Sequence, residues 1–308
     1  MLSRVADSLF WMSRYLERAE HTARVLNVQL YLMLERGAGS DDRHWARVVK
    51  SLGIDAEDDW RATGVAASLI HSASTPSSIV SCINSARENA RQVREQISSE
   101  MWEQLNRLFH AVKQMDPNGD TRDFLHSIQQ GAHLFQGISD STMTHGEGWQ
   151  FIQAGRYLER AIDVSTLVAV HFREFQHTPE EILEWMGLLR SCTAFEAYCK
   201  AYTAELRPER IAEFLVLNAY FPHAIRFSTD ALAAALQQIS QESSGKRTAR
   251  IDRIAGRMQS TLAYGQIDEI MSGGLDSYLE TVRRQCVQVY SALYQTSITY
   301  TVEAALGA

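Results

Sequence analysis

The 308-residue chain has five prolines, four cysteines and no apolar run long enough to cross a bilayer. Each shortage excludes something. Without about 20 consecutive uncharged apolar residues there is no candidate transmembrane helix. Met1-Leu2-Ser3-Arg4-Val5-Ala6-Asp7 carries no apolar block of the kind that precedes a secretory cleavage site, so the cytoplasm is the expected location. Cys82, Cys192, Cys199 and Cys286 include no Cys-x-x-Cys pair, and such sparse usage reads as reduced, packed thiols. Cys192 and Cys199 share a helix face but sit about 10 Å apart in helical rise, too far for a disulfide. Nor is there a basic excess. The net charge is −7 and the pI near 5.8, which argues against nucleic acid as the principal partner.

Strands are missing as well. No segment alternates apolar and polar residues for long, and Pro76, Pro117, Pro179, Pro208 and Pro222 all fall where a helix could start or a loop could turn. Thr178-Pro179-Glu180-Glu181 reads as N-cap through N3 of a helix, and Arg207-Pro208-Glu209 as a second start. What is present is helical periodicity. Leu2, Val5, Leu9, Met12, Leu16, Ala19, Ala23, Leu26, Leu30 and Met33 follow an unbroken 3-4 spacing that ends at Gly37-Ala38-Gly39-Ser40. Further helices are expected over about 42–52, 57–72, 77–114, 121–143, 148–176, 179–204, 208–218, 223–242, 246–271 and 275–305. The expected class is all-α, a multi-helix bundle.

Arg14-Tyr15-Leu16-Glu17-Arg18-Ala19 recurs as Arg156-Tyr157-Leu158-Glu159-Arg160-Ala161, six identities at an offset of 142 residues. A weaker match follows at an offset of 146, Pro76-Ser77-Ser78-Ile79 against Pro222-His223-Ala224-Ile225. These ordered matches point to two tandem related halves, 1–145 and 146–308, packed as one unit.

Arg14, Glu17 and Arg18 are neighbours at i, i+3 and i+4, away from the Leu16–Ala19 seam. A solvated face with one weak ion pair is one reading. Yet the polar set recurs while its surroundings change, Glu20-His21 becoming Ile162-Asp163 and Arg24 becoming Thr166. Interhelical clamps are a second reading, since a guanidinium grips a carboxylate through two parallel hydrogen bonds. An anion site is the third: two guanidiniums about one carboxylate leave a formal positive charge. Arg87, Arg91 and Arg94 form another cationic stripe at i, i+4, i+7, to be met by Glu88 and Glu95, by acids of another helix, or by an anionic ligand.

Metal chemistry finds little footing. Glu174-Phe175-Gln176-His177 stands alone, where a di-iron bundle needs paired Glu-x-x-His motifs. Asp41–His44 and Asp123–His126 only share the spacing, and Glu17–His21 meets Asp163 instead of histidine in the second copy. No nucleophile elbow, phosphate-binding loop or His-Glu-x-x-His occurs, so neither a metal nor a cofactor is expected. Trp102, Leu105, Leu108 and Phe109 read as core.

Arg14-Tyr15-x-Glu17-Arg18-Ala19, Ala86-Arg87-Glu88-Asn89-Ala90-Arg91, Trp102-Glu103-x-Leu105-Asn106 and Gly155-Arg156-Tyr157-Leu158-Glu159-Arg160-Ala161 together resemble the bacterial alpha-E domain family, over roughly residues 1–300. Near 220 that family tends to read Phe-Pro-Arg-Ser, where this chain has Phe221-Pro222-His223-Ala224. The resemblance implies association with circularly permuted ATP-grasp proteins, which join carboxylates to amines through acyl phosphates, and with transglutaminase-like proteins.

Two functional expectations follow. In the first, the chain is an accessory scaffold that docks an ATP-grasp enzyme. In the second, it is an enzyme or substrate-binding subunit. Glu17 and Glu159 would then serve as base or carboxylate handle, with Arg14, Arg18, Arg87, Arg91, Arg156 and Arg160 binding the anion.

Overall fold

The computed structural model describes residues 1–36, 42–54, 62–115, 120–178, 181–242 and 248–295. These contain fourteen α-helices and no strand. The longest is α1 (Ser3–Arg36), which holds neither glycine nor proline and buries Val5, Leu9, Met12, Leu16, Ala19, Ala23 and Leu26 of the anticipated seam, with Phe10 beside them, while Leu2 is exposed. The Gly37–Ser40 terminator lies outside the described residues.

The other helices are α2 (Asp42–Ser51), α3 (Ala62–His71), α4 (Ile79–Gln92), α5 (Ser99–Lys113), α6 (Thr121–Thr142), α7 (Glu147–Phe175), α8 (Ile182–Ser191), α9 (Phe195–Tyr202), α10 (Pro208–Leu217), α11 (Ile225–Glu242), α12 (Thr248–Ala263), α13 (Ile267–Gly273) and α14 (Leu275–Leu293). Hydroxyl and carboxylate caps start three of them. Ser78 accepts from the Ser81 N–H, Ser98 from that of Met101, and Asp120 from that of Arg122. Pro208 occupies the first turn of α10, as anticipated, because its missing N–H would have had no helical partner there.

Three expected helices divide. The 77–114 stretch breaks at Val93 into α4, a 3-10 turn at Arg94–Gln96, and α5. The 179–204 stretch breaks at Thr193, which takes a left-handed φ of 50°. The 246–271 stretch breaks at the Tyr264–Gln266 connection between α12 and α13. The capping motif expected at Thr178–Glu181 does not operate as read. Glu181 itself stands at the N-cap of α8 without a side-chain cap bond, and 179–180 lie outside the described residues.

Two long helices organise the rest. α1 packs against α4, α6 and α8, whereas α7 packs against α11, α14 and α2, and each packs most extensively on the other or on its own satellite. Their contacts climb in the same sense, from Leu9 beside Gly148 through Phe10 at Gly155 to Glu17 at Arg160, so α1 and α7 run parallel. They approach closely at Gly155, where an added Cβ would collide with the Phe10 carbonyl oxygen. That contact brings the two copies of the Arg-Tyr-Leu-Glu-Arg-Ala segment side by side.

Candidate functional site

With α1 and α7 parallel and nearly in register, each glutamate of the repeated segment faces the arginines of the other helix. Arg160 donates from Nε to Glu17 Oε1 at 2.5 Å and from Nη2 to Glu17 Oε2 at 3.0 Å. In return Arg14 Nε donates to Glu159 Oε2 at 2.6 Å and Arg18 Nε to Glu159 Oε1 at 2.6 Å. The pairs therefore cross between helices rather than closing within one. Both carboxylates are sealed, Glu17 at 3% and Glu159 at 2% exposure. Of the three readings open from sequence, this geometry is that of interhelical clamps.

Burial alone would push the Glu17 carboxyl up, but the charge and hydrogen bonds of Arg160, with Arg156 and Arg24 behind, hold it below the usual carboxylate range. Burial likewise works against the Arg160 charge, and the attraction of Glu17 overrides it. Arg18 is driven further toward its charged form by Glu159, against its own desolvation. Gln136 of α6 adds an Nε2 donor to Glu17 Oε2 at 3.3 Å. Asp163 has its proton affinity raised by burial and by nearby Glu159, a rise that Arg18 only partly offsets. Its Oδ2 is shut off from solvent and without a partner.

Aromatic rings close the outer side of the clamps. The Arg14 guanidinium lies 4.3 Å from the Trp11 ring centroid and 5.4 Å from that of Tyr290, and Arg18 lies over Tyr15 at 5.8 Å. Arg160 also donates from Nη1 to the Pro222 carbonyl at 3.2 Å, which ties the α10–α11 connection to the pair.

Arg87 and Arg91 take no part. Arg87 donates to Asn106 Oδ1 at 2.7 Å and lies over the rings of Phe109 and Trp102, while Arg91 forms an exposed pair with Glu88 at 2.6 Å. Arg94 turns to the Ile97 carbonyl and Ser99. Arg87 and Arg94 thus serve the α4–α5 junction, and Trp102 and Phe109 are partly buried platforms beside a fully packed Leu105. Arg156 reaches neither glutamate by a hydrogen bond; burial and the nearby Arg160 charge weaken its hold on its proton.

The sequence reading passed over several members of this cluster. Arg24 pairs with Glu20 one turn away and lies 3.5 Å from His133 Nε2. His21 is buried and its pKa is pushed down to about 4 by desolvation. Glu17, His21 and Arg24 follow i, i+4, i+7 spacing, so a signal for their shared face was present. Nothing local marked His133 or His223. A second buried pair, Arg47 with Glu184 at 3.0 Å, joins α2 to α8 beside His171.

Among the described residues no group of three or more His, Cys, Asp or Glu side chains is arranged to hold a metal ion. Cys82, Cys192 and Cys286 are buried, with thiols pushed up to about 12 by desolvation, and Cys199 is partly buried; all four are free. No helix among the described residues is long and apolar enough to cross a membrane. A groove of about 530 Å³ runs past Gly53, Thr166, Arg173 and Arg283, and another cavity of about 470 Å³ past Thr261, Tyr264 and Tyr278. Neither is lined by Glu17 or Glu159.

A family model described as a predicted alpha-helical domain with a conserved ER motif matches residues 1–296. The chain carries that dipeptide twice in the crossed clamps, as Glu17-Arg18 and Glu159-Arg160. It is 25% identical over 303 residues to uncharacterized proteins of Mycobacterium bovis and of two strains of Mycobacterium tuberculosis. The match covers 90% of this chain and 34% of each of theirs, so the chain spans about a third of the length of these curated relatives. No solved structure matches the chain.

Proposed function

The chain belongs to the Alpha-E family, and from that premise we propose that it is an accessory scaffold in an ATP-grasp-linked peptide or amide ligation system. In this role it docks a circularly permuted ATP-grasp enzyme and works alongside a transglutaminase-like protein. It works in the cytoplasm, which suits an acidic chain without an evident membrane-crossing helix.

One observation carries the reading. All four oxygens of Glu17 and Glu159 accept hydrogen bonds from arginines of the opposite helix. A general base needs a free lone pair facing substrate and a pKa near the working pH. Glu17 instead has its proton affinity lowered and both oxygens occupied. That disfavours the alternative, an enzyme using the two glutamates, and favours residues that hold a docking body in shape. The relatives add support, because a domain of this length forms only a third of their chains and so operates joined to something larger.

The same reading takes the fold as a duplication into halves 1–145 and 146–308. Supporting it, α4 and α11 begin at Ile79 and Ile225, the equivalent positions of the second repeat match, and pack on α1 and α7 respectively.

The test is direct. The purified chain and the ATP-grasp protein of the same host are mixed at micromolar concentration and passed over a sizing column. Co-elution, with ligation by the partner accelerated and no turnover by this chain alone, is the expected result. Separate elution overturns it.

A further inference from the structure

The two clamps leave different remainders, and the one around Glu17 is short of negative charge. Three guanidiniums, Arg24, Arg156 and Arg160, bear on that carboxylate or its neighbourhood, against two carboxylates, Glu17 and Glu20. Arg24 is 3% exposed, yet its Nε and Nη1 are shut off from solvent and bonded to nothing; the same holds for His21 Nε2. Buried donors without acceptors are costly and uncommon. His133, with about half its side chain exposed, sits 3.6 Å from Glu20 and opens the cluster to the surface. The charged groups acting most strongly on partly buried His223 are Arg160, Arg24, His21 and His133, every one a base.

We propose that this cluster is a binding site for a small oxyanion, a carboxylate or phosphate group, taken up by the unbonded Nε and Nη1 of Arg24 beside His133 and the Pro222–His223 connection that Arg160 holds. A water molecule could accept from the idle Arg24 nitrogens but could not balance the surplus guanidinium. An oxyanion does both, through charge-assisted hydrogen bonds. The proton affinities agree with a surplus of cations in this cluster. Arg24 is pushed down to about 10 by burial, and Arg156 is lowered by burial and by Arg160. His223 lies well below its ordinary value through burial and the cations around it. The other clamp offers no such place, because Arg14 and Arg18 both bond Glu159 and neither has a nitrogen that is shut off from solvent and unbonded. This site is distinct from the clamp bonds on which the docking role rests, since Arg24 and His223 make none of them.

Calorimetric titration of the full chain with sodium phosphate, and separately with sodium acetate, at matched ionic strength tests it. Binding of at least one anion is expected, and the anion that binds identifies the group recognised. Arg156→Gln and His223→Asn should each weaken it about tenfold, while Arg91→Gln, in the exposed Glu88 pair, should not. Circular dichroism melts establish that the variants are folded; His223→Asn, on a connection rather than in a helix, serves if Arg156→Gln is not. Absence of binding by both anions at millimolar concentration overturns the proposal. So does unchanged affinity in the folded site variants.

Discussion

Glu17 and Glu159 are the same residue of the same hexapeptide on two parallel helices, yet they sit in unlike company. Glu159 is held by two arginines of α1 and has the Asp163 carboxyl within its influence. Glu17 is held by Arg160 with help from Gln136, and its further neighbours are Arg24, Arg156 and the bases His21 and His133. The lesson is that a repeated motif fixes the clamp but not the electrostatic reserve around it. One end keeps a spare acid and the other keeps spare cations.

That difference sets the order of mutational effects. Glu17→Gln should be the most damaging change, costing about 3–5 kcal/mol in urea denaturation, because it leaves buried guanidiniums without their counterion. Glu159→Gln should cost less, about 2 kcal/mol, since the Asp163 carboxyl lies within the influence of Arg18 and Arg14 and can serve as their counterion. Removing that reserve in Glu159→Gln/Asp163→Asn should bring the loss up to the Glu17→Gln level. Equal costs for the two single variants would erase the comparison.

Gly155→Ala tests the approach that allows both clamps to form. A methyl there meets the Phe10 carbonyl, so α1 and α7 must separate, at a cost of about 3 kcal/mol by the same measurement.

Acid should act on the Glu17 end in particular. His21 has a folded pKa of about 4 against an ordinary 6.5, so below pH 6.5 the unfolded chain binds the extra proton. Stability from this group is complete above pH 6.5 and declines as pH falls toward 4, by about 2 kcal/mol at pH 5. His171, lowered to about 3 beside Arg47, adds to the same trend. Melts of His21→Gln should be flatter across that window than those of the parent. Smallest of all, Asp163→Asn alone should change stability by no more than about 0.5 kcal/mol at neutral pH, because burial and Glu159 already raise the proton affinity of the native carboxyl.

Much of the fold was legible in the sequence, because α1 and α7 owe their length to uninterrupted apolar spacing and α10 to its leading proline. The breaks at Val93 and Thr193 were not, since neither carries a glycine or proline to announce it; tertiary packing sets those backbones. At the site, the 3-4 spacing of Arg14, Glu17 and Arg18 and its recurrence marked residues that meet across the two helices. The crossing was hidden because it depends on the register of two helices 142 residues apart in sequence. Arg87 and Arg91 looked equivalent to the clamp arginines by composition alone, yet their helix presents them to α5 and to solvent. His133 and His223 reach the cluster only through the positions of α6 and the α10–α11 connection, which no local pattern encodes.

The most direct measurement is a pair of double-mutant cycles on unfolding free energy, Glu17→Gln with Arg160→Leu and Glu17→Gln with Arg18→Leu. The expected coupling is about 2 kcal/mol or more across the helices and near zero within α1. A larger coupling between Glu17 and Arg18 than between Glu17 and Arg160 would contradict the crossed clamp.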